Sequence, residues 1–256
     1  MARECDGCLN SSRLNFRFTM AFQPIVNLAD GSIFAQEALA RGMNNESAIS
    51  ILEQVTDENL YRFDQACRVQ AIQLAAELDI QSILSINFLP NAVYHPELCL
   101  QTTLETAERC NFPISRILFE LTEVEKVIDY AHVQSIIKHY QKLGFRTALD
   151  DFGAGYSGFN FLADFRPDFI KIDMALIRNI DKDKARQAIV RGIVQVCRDL
   201  AIEPIAEGIE TDLELDVLRE LGLQLFQGYY FAKPSFRAVT TDLSFARSNP
   251  NLHKND

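Results

Sequence analysis

Residues 146–156 read Arg146-Thr-Ala-Leu-Asp-Asp-Phe-Gly-Ala-Gly-Tyr156, and this segment is the most informative about the fold. It begins as an apolar strand and then meets two adjacent aspartates, Asp150 and Asp151. Side chains alternate along a strand, so both can serve one edge of a sheet only where the strand ends and turns. Gly153 and Gly155 permit the irregular backbone of such a turn. A plain Asp-rich turn is the alternative, and the apolar run into a double aspartate disfavours it.

The sequence on either side of this stretch alternates between strand-like apolar runs and helical stretches. Strands are predicted at residues 18–26, 32–40, 83–88, 116–121, 146–150, 169–172, 204–206 and 223–226. Helices are predicted at residues 48–55, 60–78, 102–110, 130–143, 184–200 and 212–221. Such alternation is typical of a parallel sheet with helices outside it.

The number of strands favours an α/β fold of the TIM-like (β/α)8 barrel type. The turn at Asp30-Gly31 joins the first two strands so tightly that they must run antiparallel, which departs from a regular barrel. The alternative is an open doubly wound sheet, but no Gly-x-Gly-x-x-Gly motif follows the first strand. We therefore expect a barrel with one antiparallel strand.

Acidic and amide residues recur near the carboxyl ends of the predicted strands. In a barrel these ends converge on one face, where barrel enzymes hold their active sites. A lone glutamate at a strand end is usually solvated or salt-bridged, but packing does not explain the recurrence. Carboxylate and amide oxygens suit hard cations such as Mg²⁺ or Mn²⁺, and such cations would offset the repulsion between neighbouring carboxylates. The acidic and amide residues are Glu37, Asn87, Glu120, Glu123, Asp150, Asp151, Asp173, Glu207, Glu210 and Gln227, and one basic residue, Lys171, lies among them.

Composition and charge limit the partners and the cellular compartment that we expect. The chain has 256 residues and a formal net charge of -10, which argues against binding a nucleic-acid polymer or an anionic membrane. We see no signal peptide or membrane-spanning run and expect a cytoplasmic protein. Cys5 and Cys8 have the spacing of half a zinc site or of a redox pair, but no second Cys-x-x-Cys or clustered His pair completes a zinc site.

Ordered motifs give the chain a family resemblance. It resembles the EAL-domain phosphodiesterases, which hydrolyse cyclic di-GMP, over residues 16–237. Small departures are Ala154, Gly158 and the residues Phe88-Leu89-Pro90 after Asn87. The motifs are Phe22-Gln-Pro-Ile25, Gln36-Glu-Ala-Leu-Ala-Arg41, Asn87, Glu120-Leu-Thr-Glu123, Asp150-Asp-Phe-Gly-Ala-Gly-Tyr-Ser157, Lys171-Ile-Asp173, Ala206-Glu-Gly-Ile-Glu210, Gln227-Gly-Tyr229 and Lys233-Pro234.

The resemblance implies roles for these residues. It implies two Mg²⁺ or Mn²⁺ ions, with Asp150 bridging them, and inhibition by Ca²⁺. Lys171 would position water or offset charge, Glu207 or Glu210 would act as the base, and Glu123 would anchor a loop. The implied metal ligands are Glu37, Asn87, Glu120, Asp150, Asp151 and Glu207, and the implied substrate contacts are Gln23, Leu39, Arg41, Asp173 and Gln227.

The resemblance also frames the function. We expect hydrolysis of cyclic di-GMP to linear pGpG by a homodimer, with the catalytic domain at residues 16–240 between tails at 1–15 and 241–256. A non-catalytic receptor for cyclic di-GMP that regulates a partner is the alternative. A role as an interaction scaffold is a weaker alternative, because the acidic residues near the strand ends are all present. A full ligand set favours turnover over binding alone.

Overall fold

A computed structural model describes residues 14–89, 96–122, 130–154, 159–164 and 166–241. Glu123, Gly155 and the Cys5/Cys8 pair lie outside the described residues. None of the helices in the described part is both long enough and apolar enough to cross a membrane.

The described chain contains one sheet. Its strands, in chain order β1 to β9, are Phe18–Asn27, Ser32–Gly42, Ile83–Phe88, Ile117–Thr122, Arg146–Phe152, Phe169–Ile172, Glu203–Ala206, Leu225–Phe226 and Ser235–Phe236. The helices, numbered α1 to α8, are Ala48–Leu52, Leu60–Glu77, Pro96–Arg109, Tyr130–Leu143, Phe159–Asp164, Met174–Ile177, Lys184–Leu200 and Asp212–Glu220.

The sheet closes on itself. Strands β2 to β8 run in order as parallel neighbours, and β1 pairs antiparallel with both β8 and β2. The predicted TIM-like barrel with one antiparallel strand is therefore confirmed. Short β9 adds to β1 beside β8, with Ala21 opposite Phe236, and extends the sheet beyond the predicted eight strands.

Several helices differ from the sequence-based expectation. Helix α3 begins at Pro96, six residues before its predicted start, and α1 ends at Leu52, three residues before its predicted end. Helices α5 and α6 were not predicted, because they have 6 and 4 residues and are too short to show a helical period. Asp173 begins α6 by accepting a hydrogen bond from the backbone N–H of Ala175 at 2.8 Å.

The core has an inner and an outer layer. Buried side chains that fill the barrel come from most strands, namely Ile25, Ala35, Ile83, Leu118, Ala148, Phe169, Ile205 and Leu225. The alternate residues of the same strands point outward and pack against the helices, as Phe119 does against Tyr140. A buried strand in this barrel is therefore apolar on both faces, and a polar residue within it requires an explanation.

The strand register explains how residues at different strand positions reach one level. Glu37 lies opposite Ser85, whereas Asn87, two residues further along, lies opposite Glu120. Glu120 in turn lies opposite Ala148, and Asp150 follows two residues later. Tilted strands in a barrel are staggered in this way, so the side chains at one level of the barrel come from positions further along each successive strand. Glu37 consequently lies in the middle of β2 and not at its end.

Phe119 offers a test of the outer layer. It is fully buried and contacts the rings of Phe88, Tyr140 and Phe145. Phe119→Ala should lower the free energy of unfolding by about 3–5 kcal/mol, because it leaves a cavity between strand and helix. Urea denaturation measures this. Ile189→Ala, on the exposed face of α7, should change stability by less than about 0.5 kcal/mol. Equal effects of the two variants would contradict this layering.

Candidate functional site

The candidate site is built around the ammonium group of Lys171 on β6. This side chain is 1% exposed, and its Nζ atom faces carboxylates from four other places in the chain. The Nζ atom lies 2.5 Å from Glu207 Oε1, 2.8 Å from Glu120 Oε2, 3.1 Å from Asp150 Oδ1 and 3.4 Å from Glu37 Oε2. The barrel thus brings together side chains that are separated by up to 170 positions in sequence (37 to 207).

Neutral side chains fix the orientation of two of these carboxylates. Asn87 Nδ2 donates to Glu37 Oε1 at 2.9 Å, and Gln227 Nε2 donates to Glu37 Oε2 at 2.7 Å. Ser85 Oγ donates to Glu120 Oε1. Each oxygen of Glu37 and one of Glu120 therefore has a set direction within the barrel.

The two adjacent aspartates do reach one mouth. The register between β5 and β6 shifts between Leu149 and Phe152, and Asp151 adopts a left-handed φ of 55°. Such an irregularity turns successive side chains to the same side. One oxygen each from Asp150, Asp151 and Glu207 lies within 4.8 Å of the others, which is a spacing that could hold a metal ion.

The electrostatics of Lys171 and Glu37 show mutual stabilisation. Burial lowers the pKa of Lys171, but the surrounding carboxylates, Asp150 and Glu120 foremost, raise it well above its ordinary value. Burial raises the pKa of Glu37, but Lys171, Gln227 and Asn87 together hold it below its ordinary value. An ammonium ion and a carboxylate ion therefore coexist in the interior of the barrel.

The remaining carboxyl groups are charged only at a cost. Burial and the neighbouring charge of Glu37 raise the pKa of Glu120 to about 8, although Lys171 opposes the shift. Burial, Asp150 and Asp173 raise the pKa of Asp151 to about 6. Burial also raises the pKa of Glu207 well above its ordinary value. The protein alone therefore does not neutralise this cluster.

Charge counting shows what would fit. Five carboxylates (Glu37, Glu120, Asp150, Asp151 and Glu207) and the Lys171 ammonium carry a formal charge of −4 when all are ionised. Two divalent cations would neutralise it. The donors are oxygens with no thiolate or imidazole among them, so they suit Mg²⁺ or Mn²⁺ better than zinc.

A cleft of about 350 Å³ opens above the cluster. Gln23, Leu39, Asp173 and Gln227, four of the predicted substrate contacts, line it. The Oε1 atom of Gln227 is buried and has no hydrogen-bond partner, so it could accept from a ligand donor. The cleft is thus large enough for part of a small organic ligand and is polar at its floor.

Two predicted residues lie apart from the cluster. The guanidinium of Arg41 is outside the cleft lining and donates to the carbonyl of Ala40 at 2.7 Å. Glu210 lines the cleft but forms a two-point ion pair with Arg178, at 2.6 and 2.8 Å, with 48% of its side chain exposed. Glu207 contacts Lys171, whereas Glu210 does not.

The sequence reasoning missed Ser85 and Arg178. Ser85 lies two residues before Asn87, so strand alternation places both on the inner face. A hydroxyl at an inward position of an otherwise apolar strand was a usable signal. Arg178 gave no such signal, because its pairing with Glu210 depends on how two loops meet.

Comparisons with known proteins identify relatives. The EAL domain family model matches residues 9–234. The blue light- and temperature-regulated antirepressor BluF of Escherichia coli is 31% identical over 93% of this chain and 59% of its own length. The probable cyclic di-GMP phosphodiesterase PdeG of Escherichia coli is 30% identical over 83% of this chain and 44% of its own length. The chain therefore spans about three fifths or less of these relatives.

Solved structures agree with the sequence comparison. A standalone versatile EAL protein of Vibrio cholerae, in its c-di-GMP-bound form, is 52% identical with a TM-score of 0.88, over 95% of this chain and all of that one. Klebsiella pneumoniae BlrP1, in a complex with manganese and cyclic di-GMP, is 33% identical with a TM-score of 0.82, over 89% of this chain and 58% of that one.

Glu207→Gln tests the charge balance of the cluster. When folding raises the pKa of a carboxyl group, the protein loses stability as the pH rises from the pKa of that group in the unfolded state towards its pKa in the folded state. At pH 7 with a chelator, the variant should therefore melt above the wild type, by about 2–4 °C for each kcal/mol gained. With Mn²⁺ present the order should reverse, because the variant loses a metal ligand. Thermal melts measure both.

Glu77→Gln, at an exposed position of α2, is the matched control and should change neither melt. A Glu207→Gln protein that gains as much stability from Mn²⁺ as the wild type would exclude Glu207 from the metal site.

Proposed function

Because the chain belongs to the EAL domain family, we propose that it is a metal-dependent phosphodiesterase that hydrolyses cyclic di-GMP to linear pGpG. One observation carries the proposal. The barrel gathers a complete set of carboxylates around one buried lysine at the floor of a ligand-sized cleft. The name of PdeG and the ligand of the Vibrio cholerae structure support the choice of cyclic di-GMP as the substrate.

The proposed metal ligands fall into two groups that share Asp150. Glu37, Asn87, Glu120 and Asp150 would hold one cation, and Asp150, Asp151 and Glu207 would hold the other. A bound pair of divalent cations supplies a hydroxide nucleophile at neutral pH and stabilises charge on a phosphoryl group. The manganese in the BlrP1 complex supports a divalent ion in this family.

Lys171 and Glu207 are the groups that would handle protons and charge. The Nζ atom lies within 3.1 Å of both Asp150 and Glu207, so it fixes the two carboxylates that border the second cation group. Its positive charge would also offset negative charge that develops during hydrolysis. We assign the base-type role to Glu207 and not to Glu210, because Glu210 is neutralised by Arg178 and lies outside the Lys171 cluster.

The cleft walls would select the substrate. Gln23 and Gln227 offer amide groups at the floor, and Leu39 offers an apolar contact. Gln23 Nε2 is held by the carbonyl of Ala232 at 3.1 Å, and this bond leaves its amide oxygen available as an acceptor. Arg41 would have to turn away from Ala40 to reach a phosphate, for which its fork of donors is suited.

A regulatory receptor is the second candidate function, and the name of BluF is the observation that favours it. Such a protein would bind cyclic di-GMP without turning it over. The complete carboxylate set favours the enzyme, since a receptor has no need to hold four carboxylates at unfavourably raised pKa values. Formation of a homodimer stays a prediction, as does the role of Glu123.

Glu37→Gln should abolish hydrolysis while the fold is kept. The amide keeps the shape of the side chain, but it replaces one acceptor oxygen with an NH2 donor and removes a charged ligand, and losses of about 100-fold or more in kcat are expected for one transition-state stabilising group. Chromatography of products from cyclic di-GMP with Mn²⁺ measures this. Glu203→Gln, at the opposite end of the barrel on β7, should retain wild-type turnover.

Wild-type turnover by Glu37→Gln would contradict the site. A wild-type protein that binds cyclic di-GMP but forms no product with any divalent ion would favour the receptor function.

Metal identity should change activity in a defined order. Mg²⁺ and Mn²⁺ accept near-octahedral oxygen sites, whereas Ca²⁺ prefers more ligands at longer distances and would misplace the groups around Asp150. Removal of metal by a chelator should therefore stop hydrolysis, Mg²⁺ or Mn²⁺ should restore it, and excess Ca²⁺ should inhibit it. The first product should be pGpG. Release of GMP alone, with no linear dinucleotide at early times, would indicate a different phosphodiesterase chemistry.

A further inference from the structure

A second buried ion pair lies outside the site, on helix α2. Arg68 Nη2 is 2.9 Å from Asp64 Oδ2, and both side chains are about 2% exposed. They are one helical turn apart, at positions i and i+4. Nothing in the barrel chemistry described above uses them, so their presence in the apolar outer layer requires a separate explanation.

Stability does not explain the pair. The Nε and Nη1 atoms of Arg68 have no hydrogen-bond partner, and Asp64 Oδ2 accepts no hydrogen bond although Arg68 Nη2 lies 2.9 Å away. Burying charges with unsatisfied hydrogen-bonding groups is unfavourable, and well-packed apolar residues are often as stabilising or more so. The pair must therefore be judged by what else it contacts.

Its other contacts reach the segment that follows Asn87. Asp64 Oδ1 accepts a hydrogen bond from the backbone N–H of Leu89 at 3.1 Å. Arg68 Nη2 donates to the carbonyl of Cys99 in α3, with a longer distance of 3.5 Å. Leu89 and Cys99 lie on either side of residues 90–95, so the pair ties α2 to the chain before and after that stretch.

Leu89 is only two residues beyond Asn87, whose amide orients Glu37 at 2.9 Å. The strand β3 ends between them at Phe88. Phe88 packs against Phe119 and Tyr140, with ring centroids 5.8 and 5.5 Å away, and so fixes the strand from its outer face. The bond from Leu89 to Asp64 is the described polar contact that fixes the backbone just after Asn87.

We propose that Asp64, held by Arg68, is a positioning residue for the metal site: it fixes the end of β3 so that Asn87 presents its amide to the first cation. This inference rests on the proposed function, because it takes Asn87 as a metal ligand. Groups that orient metal ligands from outside typically change metal affinity by about 10–100-fold when they are removed.

The decisive comparison uses two double variants that both remove the buried charges. Asp64→Leu/Arg68→Met removes the acceptor for Leu89 N–H, whereas Asp64→Asn/Arg68→Met keeps an oxygen there. The first should weaken Mn²⁺ binding about tenfold, and the second should bind within about threefold of the wild type. Isothermal titration calorimetry with MnCl₂ alone, on the full chain, measures affinity without requiring turnover.

The melting temperature separates positioning from simple structural support. Asp64→Leu/Arg68→Met should melt close to the wild type or above it, because apolar replacement of a buried ion pair is often neutral or stabilising. Arg116→Met is the matched control. Arg116 donates to the carbonyls of Ile80 and Gln81, just before the opposite end of β3, and its loss should lower the melting temperature without changing Mn²⁺ affinity.

Equal Mn²⁺ affinity in the wild type and in Asp64→Leu/Arg68→Met would overturn the proposal, and so would equal weakening in both double variants. Asn87→Ala tests the premise that Asn87 is a metal ligand. If that variant binds Mn²⁺ as the wild type does, Asn87 is not a ligand and the assigned metal site fails. If it weakens binding while both Asp64 variants do not, only the positioning role fails.

Discussion

The ammonium group of Lys171 is the constraint on which the site depends. It is buried in a barrel whose other inward side chains below it are apolar, and it can stay charged there only because four carboxylates surround it. Those carboxylates in turn exceed its charge, and burial together with this excess raises the pKa values of Glu120 and Glu207. The single positive charge of Lys171 therefore holds the carboxylates together but does not neutralise them. The remaining charge makes the floor of the cleft a place for divalent metal.

The barrel supplies the geometry that such a cluster needs. The charged side chains come from four strands and from the residue that follows β7, and the stagger between strands brings them to a single level although their positions along the strands differ. The antiparallel β1 contributes Gln23 from the opposite chain direction, directly across from Glu37. Hydrogen bonds from Ser85, Asn87 and Gln227 orient the carboxylate oxygens of Glu37 and Glu120. Asp64 accepts a hydrogen bond from the backbone just after Asn87.

The sequence predicted the barrel, which the structure confirms, and it named the carboxylates that the structure brings around Lys171, because strand alternation and turn residues are local signals. It also foresaw that Asp150 and Asp151 need a turn to face one side, which the register shift and the left-handed backbone of Asp151 provide. It could not separate Glu207 from Glu210. That distinction depends on Arg178, which meets Glu210 through contacts between residues 32 positions apart. The Asp64–Arg68 pair was equally hidden, since its spacing is that of any helical ion pair and only burial makes it unusual.

Direct location of the metal ions would show whether the carboxylates around Lys171 bind two cations. Crystals grown with MnCl₂ and cyclic di-GMP would give an anomalous difference map in which each manganese ion appears as a peak. We predict two peaks about 3.5–4 Å apart on either side of Asp150, the spacing of two-metal sites. One should lie among Glu37, Asn87 and Glu120, and the other beside Asp151 and Glu207. A well-occupied nucleotide in the cleft with a single peak, or with none near Asp150, would contradict the account.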